Sequence, residues 1–258
     1  MTEEASVRAF HEAGNEQGPL LGIYHFNARA IHALAPHGST ILDLGSGSGR
    51  FLAYLAHRRP DLRLIGLDLS REMVALGNEM LRAEGLSDRA ELREGDMTTF
   101  ADKFSSSPDL VTSIFSLHHL PTAAHLRACA SEMGKIVRTP TGAAIWVFDH
   151  ARPRREDTAI RFPEVFTPAA SRAFKTDSSN SLQASWSFDE LKEALRAGVG
   201  ATMQGSLARL LPLYQIHWHR GARTGGDTAL WMAPADLPAQ AATDSRDLAM
   251  LLKPVPGW

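Results

Sequence analysis

Ile41-Leu42-Asp43-Leu44-Gly45-Ser46-Gly47-Ser48-Gly49-Arg50-Phe51 is the stretch on which the reading of this chain turns. Thr40 to Leu44 is a short, apolar, partly β-branched run; three alternating glycines follow, and then Phe51, Leu52, Leu55 and Ala56 at helical spacing. The order spells strand, glycine turn, helix. A G-x-G-x-G turn puts no Cβ between the backbone and a ligand, and it points a helix N-terminus at that ligand. Asp68 closes the next apolar run, about 20 residues on, where a carboxylate can accept hydrogen bonds from a ribose diol. A dinucleotide enzyme has much the same pair of features, but its G-x-G-x-x-G turn receives a pyrophosphate. Here Arg50-Phe51 follow Gly49, and the glycine at that offset is missing.

Outward from this stretch, strand and helix signals alternate. Leu62 to Asp68 is a second strand; Ser70 then caps a helix with Met73, Val74, Leu76, Met80 and Leu81 in its stripe, and Gly85 closes it. Ala90 to Gly95 and Asp109 to Phe115 read as strands three and four. Thr122 caps a helix whose apolar positions are Leu126, Met133, Ile136 and Val137, and Pro140-Thr141-Gly142 turns into strand five, Ala143 to Phe148. This alternation predicts right-handed crossovers, hence an α/β, doubly wound, mostly parallel sheet with helices on both faces. Ligands of such sheets sit at the carboxyl ends of the strands, where strand order reverses. From Asp149 to about Ser185 the alternation stops, and the segment carries Pro153, Pro163 and Pro168 with Arg152, Arg154, Arg155 and Arg161. Phe188, Leu191 and Leu195 restore a helix ending at Gly198/Gly200, and Ala201 to Leu207 and Leu213 to His219 form an antiparallel pair at the end of the sheet. The expected organisation is an N-terminal helical cover over 1–35, a ligand-binding domain over 36–219 with an acceptor-side insertion at 149–185, and a tail at 220–258. The tail holds Gly225-Gly226, the apolar run Ala229-Leu230-Trp231-Met232 and a short helix near Leu248 to Leu252; its place in the fold is not legible.

Composition narrows the class. The chain has 258 residues, 44% of them apolar and 22% charged, which suits a globular protein with a full core. With 27 Lys+Arg against 29 Asp+Glu the net charge is -2, so no bulk positive field draws it to nucleic acid or an anionic membrane. The lone Cys129 allows neither an internal disulfide nor a multi-thiolate zinc site, and MTEEASVRAF has no basic stretch followed by an apolar core. A soluble protein in a reducing, cytoplasmic setting is expected, with no membrane span because charged residues or histidine interrupt every apolar run.

These residues resemble the class I S-adenosylmethionine-dependent methyltransferases. In that family an acid stands in the first strand, as Asp43 does in D-L-G-S-G-S-G, and the glycine turn (Gly45, Ser46, Gly47, Gly49) passes under the methionine part of the cofactor. Leu67-Asp68-Leu69-Ser70 with Met73 looks like the ribose-binding strand end and the helix start after it. Glu94-Gly95-Asp96-Met97 looks like the adenine site, with Asp96 accepting from the exocyclic amine and Met97 packing on the ring. Asp109 to Phe115, Ser116 and on to Pro121 looks like strand four and the loop beside the methyl group, in the small-molecule branch. The resemblance covers about residues 25 to 220 and implies S-adenosylmethionine as cofactor and a Rossmann-like sheet of seven strands. Local alternatives remain: Asp43 as a structural acid, Asp68 as a helix cap, Asp96 as a cap for the segment starting at Thr98, Met97 as core.

On the acceptor side, methyl transfer needs a nucleophile held in line with the methyl carbon and kept from water, and a base only where the nucleophile loses a proton. His118 and His119 follow strand four, where that base would stand; at most one of two neighbours in a turn faces the substrate. Asp149-His150 ends strand five on the same edge, and His150 is a third candidate for orienting the acceptor. No metal is expected. His217 and His219 alternate on a strand and suit ordinary hydrogen bonds. The arginines of the insertion suit either an anionic group on the acceptor or a solvated loop balanced by Glu156 and Asp157. Tyr24 and His25 on the cover are either lid residues or simple packing. No Asn/Asp-Pro-Pro-Tyr/Phe stretch follows strand four, as the family's enzymes for DNA bases and glutamine would show, and Cys129 lies within a helix, away from the strand ends. The leading expectation is an O- or N-methyltransferase for a small-molecule acceptor. A nicotinamide oxidoreductase, a non-catalytic S-adenosylmethionine-binding protein, and a methyltransferase for protein or RNA are the rivals.

Overall fold

Three residue patterns set the frame: a buried first strand, an αL glycine turn, and side-chain caps at the helix starts. The computed structural model describes residues 20–104, 106–140, 142–168, 170–223, 230–234 and 237–258. The start MTEEASVRAF, the first part of the cover, Thr141, Gly225-Gly226 and Ala229 lie outside the described residues.

The chain runs α1 (Leu21–Leu34), β1 (Thr40–Leu44), α2 (Arg50–Arg58), β2 (Arg63–Asp68), α3 (Arg71–Ala83), β3 (Ala90–Glu94), β4 (Leu110–Ile114), α4 (Ala123–Val137) and β5 (Ala144–His150). It continues as α5 (Glu156–Phe166), α6 (Arg172–Ala184), α7 (Phe188–Val199), β6 (Gln204–Leu207), β7 (Tyr214–His219) and α8 (Ala239–Leu251). The expected caps form: Ser70 Oγ accepts from the Met73 amide at 3.2 Å and Thr122 Oγ1 from the His125 amide at 3.4 Å. Ser187 and Glu190 make a full capping box at the start of α7, which Gly200 ends in the left-handed conformation.

The seven strands lie in the order β3-β2-β1-β4-β5-β7-β6. The first five are parallel; β7 pairs antiparallel with β5, and β6 antiparallel with β7. This is the doubly wound, mostly parallel sheet with an antiparallel end that the alternation predicts. Strand order reverses at β1/β4, so the crevice for a ligand opens there. One face of the sheet packs on α4 and α7 through Leu126, Met133, Leu191 and Leu195. The other packs on α1 and α2 through Phe26, Ile31, Leu52 and Leu55, with Trp146 Nε1 of β5 donating to Asn27 Oδ1 at 2.8 Å.

Two segments gain structure that the sequence pattern hides. The stretch after β5 is two helices, α5 and α6, packed on one another, and Ala159, Leu182 and Leu213 form a small core of their own. Pro163 lies inside α5, where it forgoes the bond to the Ala159 carbonyl. The tail packs α8 along α1, and Trp258 stacks on Phe26 with ring centroids 6.0 Å apart. The Arg29 guanidinium covers the other rim of that indole, 4.4 Å from the ring centre.

Candidate active site

At the β1/β4 switch, a cavity of about 760 Å³ lies over the carboxyl ends of the strands, within the size range of small-ligand sites. Its floor is the glycine turn. Gly45 has φ +68°, and a Cβ there would overlap the Ser116 side chain and come within 3.1 Å of Met97 Cε. Only glycine lets the turn, the residue after β4 and Met97 close on one another while the backbone stays bare toward the cavity. Gly49 is the N-cap of α2 at φ +71°, beneath the turn and off the cavity wall.

Three carboxylates surround this floor. Asp43, buried in β1 beside Gly66 and Thr112, accepts from Thr112 Oγ1 at 2.6 Å. Burial pushes its carboxyl up to about 7, against the Thr112 bond and with Asp68 adding to the rise. Asp68 accepts from the Gly47 amide at 2.7 Å and the Ser70 amide at 2.9 Å, so it ties the turn to the start of α3. Asp96 accepts from the Thr98 amide and hydroxyl at 2.7 and 2.8 Å through the same oxygen, Oδ1, and these bonds hold its carboxyl low. Asp68 accepts through both oxygens and Asp96 through one, and each keeps acceptor sites beside its cap role, because a carboxylate has about four.

Behind β4 the chain turns sharply. Phe115 sits at φ +54°, a costly place for a bulky residue, roughly 1–3 kcal/mol. Its amide donates to the Phe148 carbonyl at 2.9 Å, and Ser116 Oγ then donates to the Leu44 carbonyl at 2.6 Å, knitting the β4 turn to the end of β1. The next residues bring the imidazoles. His118 is buried, its Nδ1 2.7 Å from Asp149 Oδ1 and its amide donating to Asp149 Oδ2 at 3.1 Å. Burial alone would raise Asp149; His118 outweighs it and keeps the carboxyl below its usual range. His119 is exposed where it lines the cavity, 4.2 Å from the His118 ring, and desolvation and the neighbouring His118 lower its proton affinity. It is neutral at pH 7. His150 is buried between Phe115, 4.4 Å away and stacked, and Tyr214, and burial pushes it down to about 3.

Of the residues expected from sequence, Asp43, Gly45, Ser46, Gly47, Asp68 and Leu69 line the cavity together with Met73, Asp96, Met97, Phe115, Ser116 and His119. His118 and His150 stand behind the wall. Tyr24 of α1 also lines the cavity, whereas His25 turns away to bond the Tyr54 hydroxyl at 2.9 Å. The partner of His118 is the finding that sequence reading missed. Asp149 and His150 are adjacent on β5, so their side chains leave opposite faces and cannot act as one pair. His217 bonds Gln215 and His219 the Thr202 carbonyl, each at 3.0 Å, and Arg152 and Arg155 pair with Glu190 and Asp157 at the surface. Among the described residues no group of three or more His, Cys, Asp or Glu could hold a metal ion, and no helix is long and apolar enough to cross a membrane.

The bare floor at Gly45, the acid beside it and the two strand-end acids fit a nucleoside joined to a cationic amino-acid tail. Asp43 can face the positive charge, Asp68 the ribose, and Asp96 with Met97 the base.

Comparison with known proteins agrees. Residues 41–140 match the model of a methyltransferase domain family. The demethylmenaquinone methyltransferase of Porphyromonas gingivalis is 30% identical over 128 residues, 48% of this chain and 48% of that protein. The chain thus spans about half the length of such curated relatives. Among solved structures, the plantazolicin methyltransferase BpumL, in complex with a monoazolic desmethylPZN analog and SAH, superposes with a TM-score of 0.60 at 14% identity, covering 84% of this chain and 90% of that one. A SAM dependent methyltransferase from Aquifex aeolicus superposes at 0.58 and 15% identity, covering 84% of this chain and 98% of that one; at such identities the likeness is one of fold. Residues 41–140 thus carry a methyltransferase domain, on a fold shared with S-adenosylmethionine-dependent methyltransferases of known structure.

Proposed function

We propose that the protein transfers a methyl group from S-adenosylmethionine to an oxygen or nitrogen of a small-molecule acceptor by in-line displacement. The observation that carries this reading is one cavity with the glycine floor and the strand-end acids at one side and a neutral imidazole, His119, at the other. When bound, the cofactor supplies an electrophilic methyl on a sulfonium whose charge is lost on transfer. The chain's own residues do the rest. Gly45, Ser46 and Gly47 would hold the methionine part against Asp43, on a turn that Gly49 closes from below; Asp68, Leu69 and Met73 would hold the ribose, and Asp96 and Met97 the adenine. Phe115 and Ser116 wall the reacting end and exclude water. His119 accepts a hydrogen bond from the nucleophile's O–H or N–H and takes the proton at its free ring nitrogen. Asp149 fixes His118 against it, and His150 supports Phe115 from behind, so both position rather than react. The near-neutral chain favours a metabolite over nucleic acid, in keeping with relatives named for menaquinone and plantazolicin substrates.

Calorimetry with S-adenosylmethionine, S-adenosylhomocysteine and NAD tests the cofactor; binding of NAD alone overturns the reading. Labelled cofactor with a metabolite panel tests the acceptor, and tight cofactor binding with no methylated metabolite, protein or RNA would favour a binding protein instead. His119→Ala is expected to lower turnover at least 10²-fold, the usual worth of a general base, with cofactor affinity within about twofold of wild type. Equal rates would leave proximity alone as the mechanism.

A further inference from the structure

Helix α1 lies between the cavity and the tail. Leu20 and Tyr24, one helical turn apart, line the cavity, while Gly22 faces the other way onto α8. A Cβ at Gly22 would stand 2.7 Å from Asp244 Cβ and 3.1 Å from the Ala241 carbonyl oxygen, so glycine is what lets α8 close on this turn. Further along, Trp258 stacks on Phe26 and meets the His25 ring edge-on at 6.4 Å, and Arg29 Nη2 donates to the Gly257 carbonyl at 3.1 Å. Trp231 packs on His25 and His32, with ring centroids 5.9 and 5.1 Å away. The tail thus grips the outer side of α1, yet no described residue of the tail lines the cavity. The inner side carries a polar group without a partner. Tyr24 is 6% exposed, its ring set edge-on to Phe51 at 5.6 Å and beside Tyr54 at 6.2 Å, and among the described residues its hydroxyl makes no hydrogen bond. The Tyr54 hydroxyl is taken by His25. Buried hydroxyls are normally paired, and what Tyr24 has beside it is the cavity. Arg50 and Phe51 directly follow the glycine turn, and the charges that act on the Tyr24 hydroxyl are those of Arg50 and Asp43.

We propose that Tyr24 donates its hydroxyl hydrogen to the carboxylate of the cofactor's amino-acid end, and that α8 and Trp258 position it there by holding α1. This rests on the cofactor half of the methyl-transfer reading and adds a binding residue and its support to it. The amino-acid end is a zwitterion, and the cavity wall offers a group for each charge. Asp43 faces the ammonium; Tyr24, with Arg50 on the same wall, faces the carboxylate. Burial raises the proton affinity of the Tyr24 phenol, so it stays a donor at any working pH, and its bond to a carboxylate is charge-assisted.

The test is calorimetry on the full chain with two probes: S-adenosylhomocysteine, and methylthioadenosine, which keeps the nucleoside and lacks the amino-acid end. Tyr24→Phe keeps the ring and loses the donor. It is expected to weaken S-adenosylhomocysteine about tenfold, the usual worth of a hydrogen bond to a charged group, and to leave methylthioadenosine within twofold of wild type. Trp258→Ala touches no ligand, yet it should weaken S-adenosylhomocysteine at least fivefold with the same sparing of methylthioadenosine, whereas a general loss of folded protein would weaken both probes alike. Gly22→Ala, which wedges α8 from α1, should reproduce Trp258→Ala, and Trp258→Phe should restore most of the affinity. The double variant Tyr24→Phe with Trp258→Ala should lose little beyond the larger single loss, because both changes remove one contact. Unchanged S-adenosylhomocysteine binding in Tyr24→Phe, equal losses for the two probes, or losses that simply add in the double variant overturns the proposal. Failure of the wild type to bind either probe would instead sink the cofactor reading beneath it.

Discussion

Arg59→Ala is expected to cost the fold about 3–5 kcal/mol, the usual penalty for stripping one partner from a buried ion pair. The Arg59 side chain is fully buried, and its Nε and Nη2 donate to the two oxygens of Asp61 at 2.8 Å each. The remaining donors reach the Ala35 carbonyl at 3.3 Å and the Pro36 carbonyl at 3.2 Å, while Asp61 Oδ2 also accepts from the Gly38 amide at 3.0 Å. One guanidinium thus fastens the link between α1 and β1 to the loop entering β2. Alanine would strip the buried Asp61 carboxylate of its cation, leaving it the Gly38 amide, and would take the guanidinium donors from the Ala35 carbonyl, while the Pro36 carbonyl keeps Ser39 Oγ at 2.8 Å. Urea denaturation gives the size of the loss, and a double variant, Arg59→Met with Asp61→Leu, should lose clearly less than the two single changes added together. The pair also sets an acid limit. Burial would raise Asp61, but Arg59 and the Gly38 amide hold it down to about 2, so its contribution is present above the unfolded value near 4 and is lost as pH falls toward 2. The wild type should lose stability in that window, and Arg59→Met should show little of this component. Equal stability of Arg59→Ala and wild type at pH 7 would refute the role.

Local signals carried much of this fold. The β1 turn was legible because glycine spacing is a backbone requirement, and Ser70, Thr122 and Gly85 punctuate helices within three or four residues of themselves. The cofactor half of the site inherits that clarity, since Asp43 and Asp68 stand at strand positions fixed by register with their neighbours, and Asp96 follows β3 just past Gly95, whose amide donates to the Asp68 carbonyl. What stayed hidden is non-local. Trp258 meets Phe26 from the far end of the chain, and no periodicity in the tail announces a partner in α1. His118 finds Asp149 across two strands, while sequence adjacency had joined that acid to His150. Pro163 and Pro168 suggested a loop where α5 holds a proline among its last residues and α6 begins beyond Pro168. The acceptor side is therefore the less legible half: it is assembled from an insertion and a strand end whose contacts only the fold brings together.

Asp43→Asn is expected to stabilise the ligand-free protein at pH 8 while weakening its hold on S-adenosylmethionine at least tenfold. The two effects have one cause. The folded state raises this carboxyl from 3.8 to about 7, because β1 buries it and Asp68 adds like charge, with Thr112 recovering only part. Between those values the folded protein holds a proton that the unfolded chain has lost. Stability therefore falls as pH rises through this window, by roughly 2–4 kcal/mol in all, and the cost persists above it. Asparagine keeps an acceptor for Thr112 and carries no charge, so the melting temperature of Asp43→Asn should exceed that of wild type at pH 8, and the advantage should shrink toward pH 5. Binding runs the other way. The cofactor brings a sulfonium and an ammonium, and the ionised Asp43 on the cavity wall is the group placed to meet positive charge, so wild-type affinity should rise from pH 6 to pH 8 as Asp43 ionises. In Asp43→Asn that rise should vanish. A variant that is no more stable than wild type at pH 8, or that binds cofactor as tightly and with the same pH dependence, would show that Asp43 is a structural acid and that the charge of the cofactor is met elsewhere.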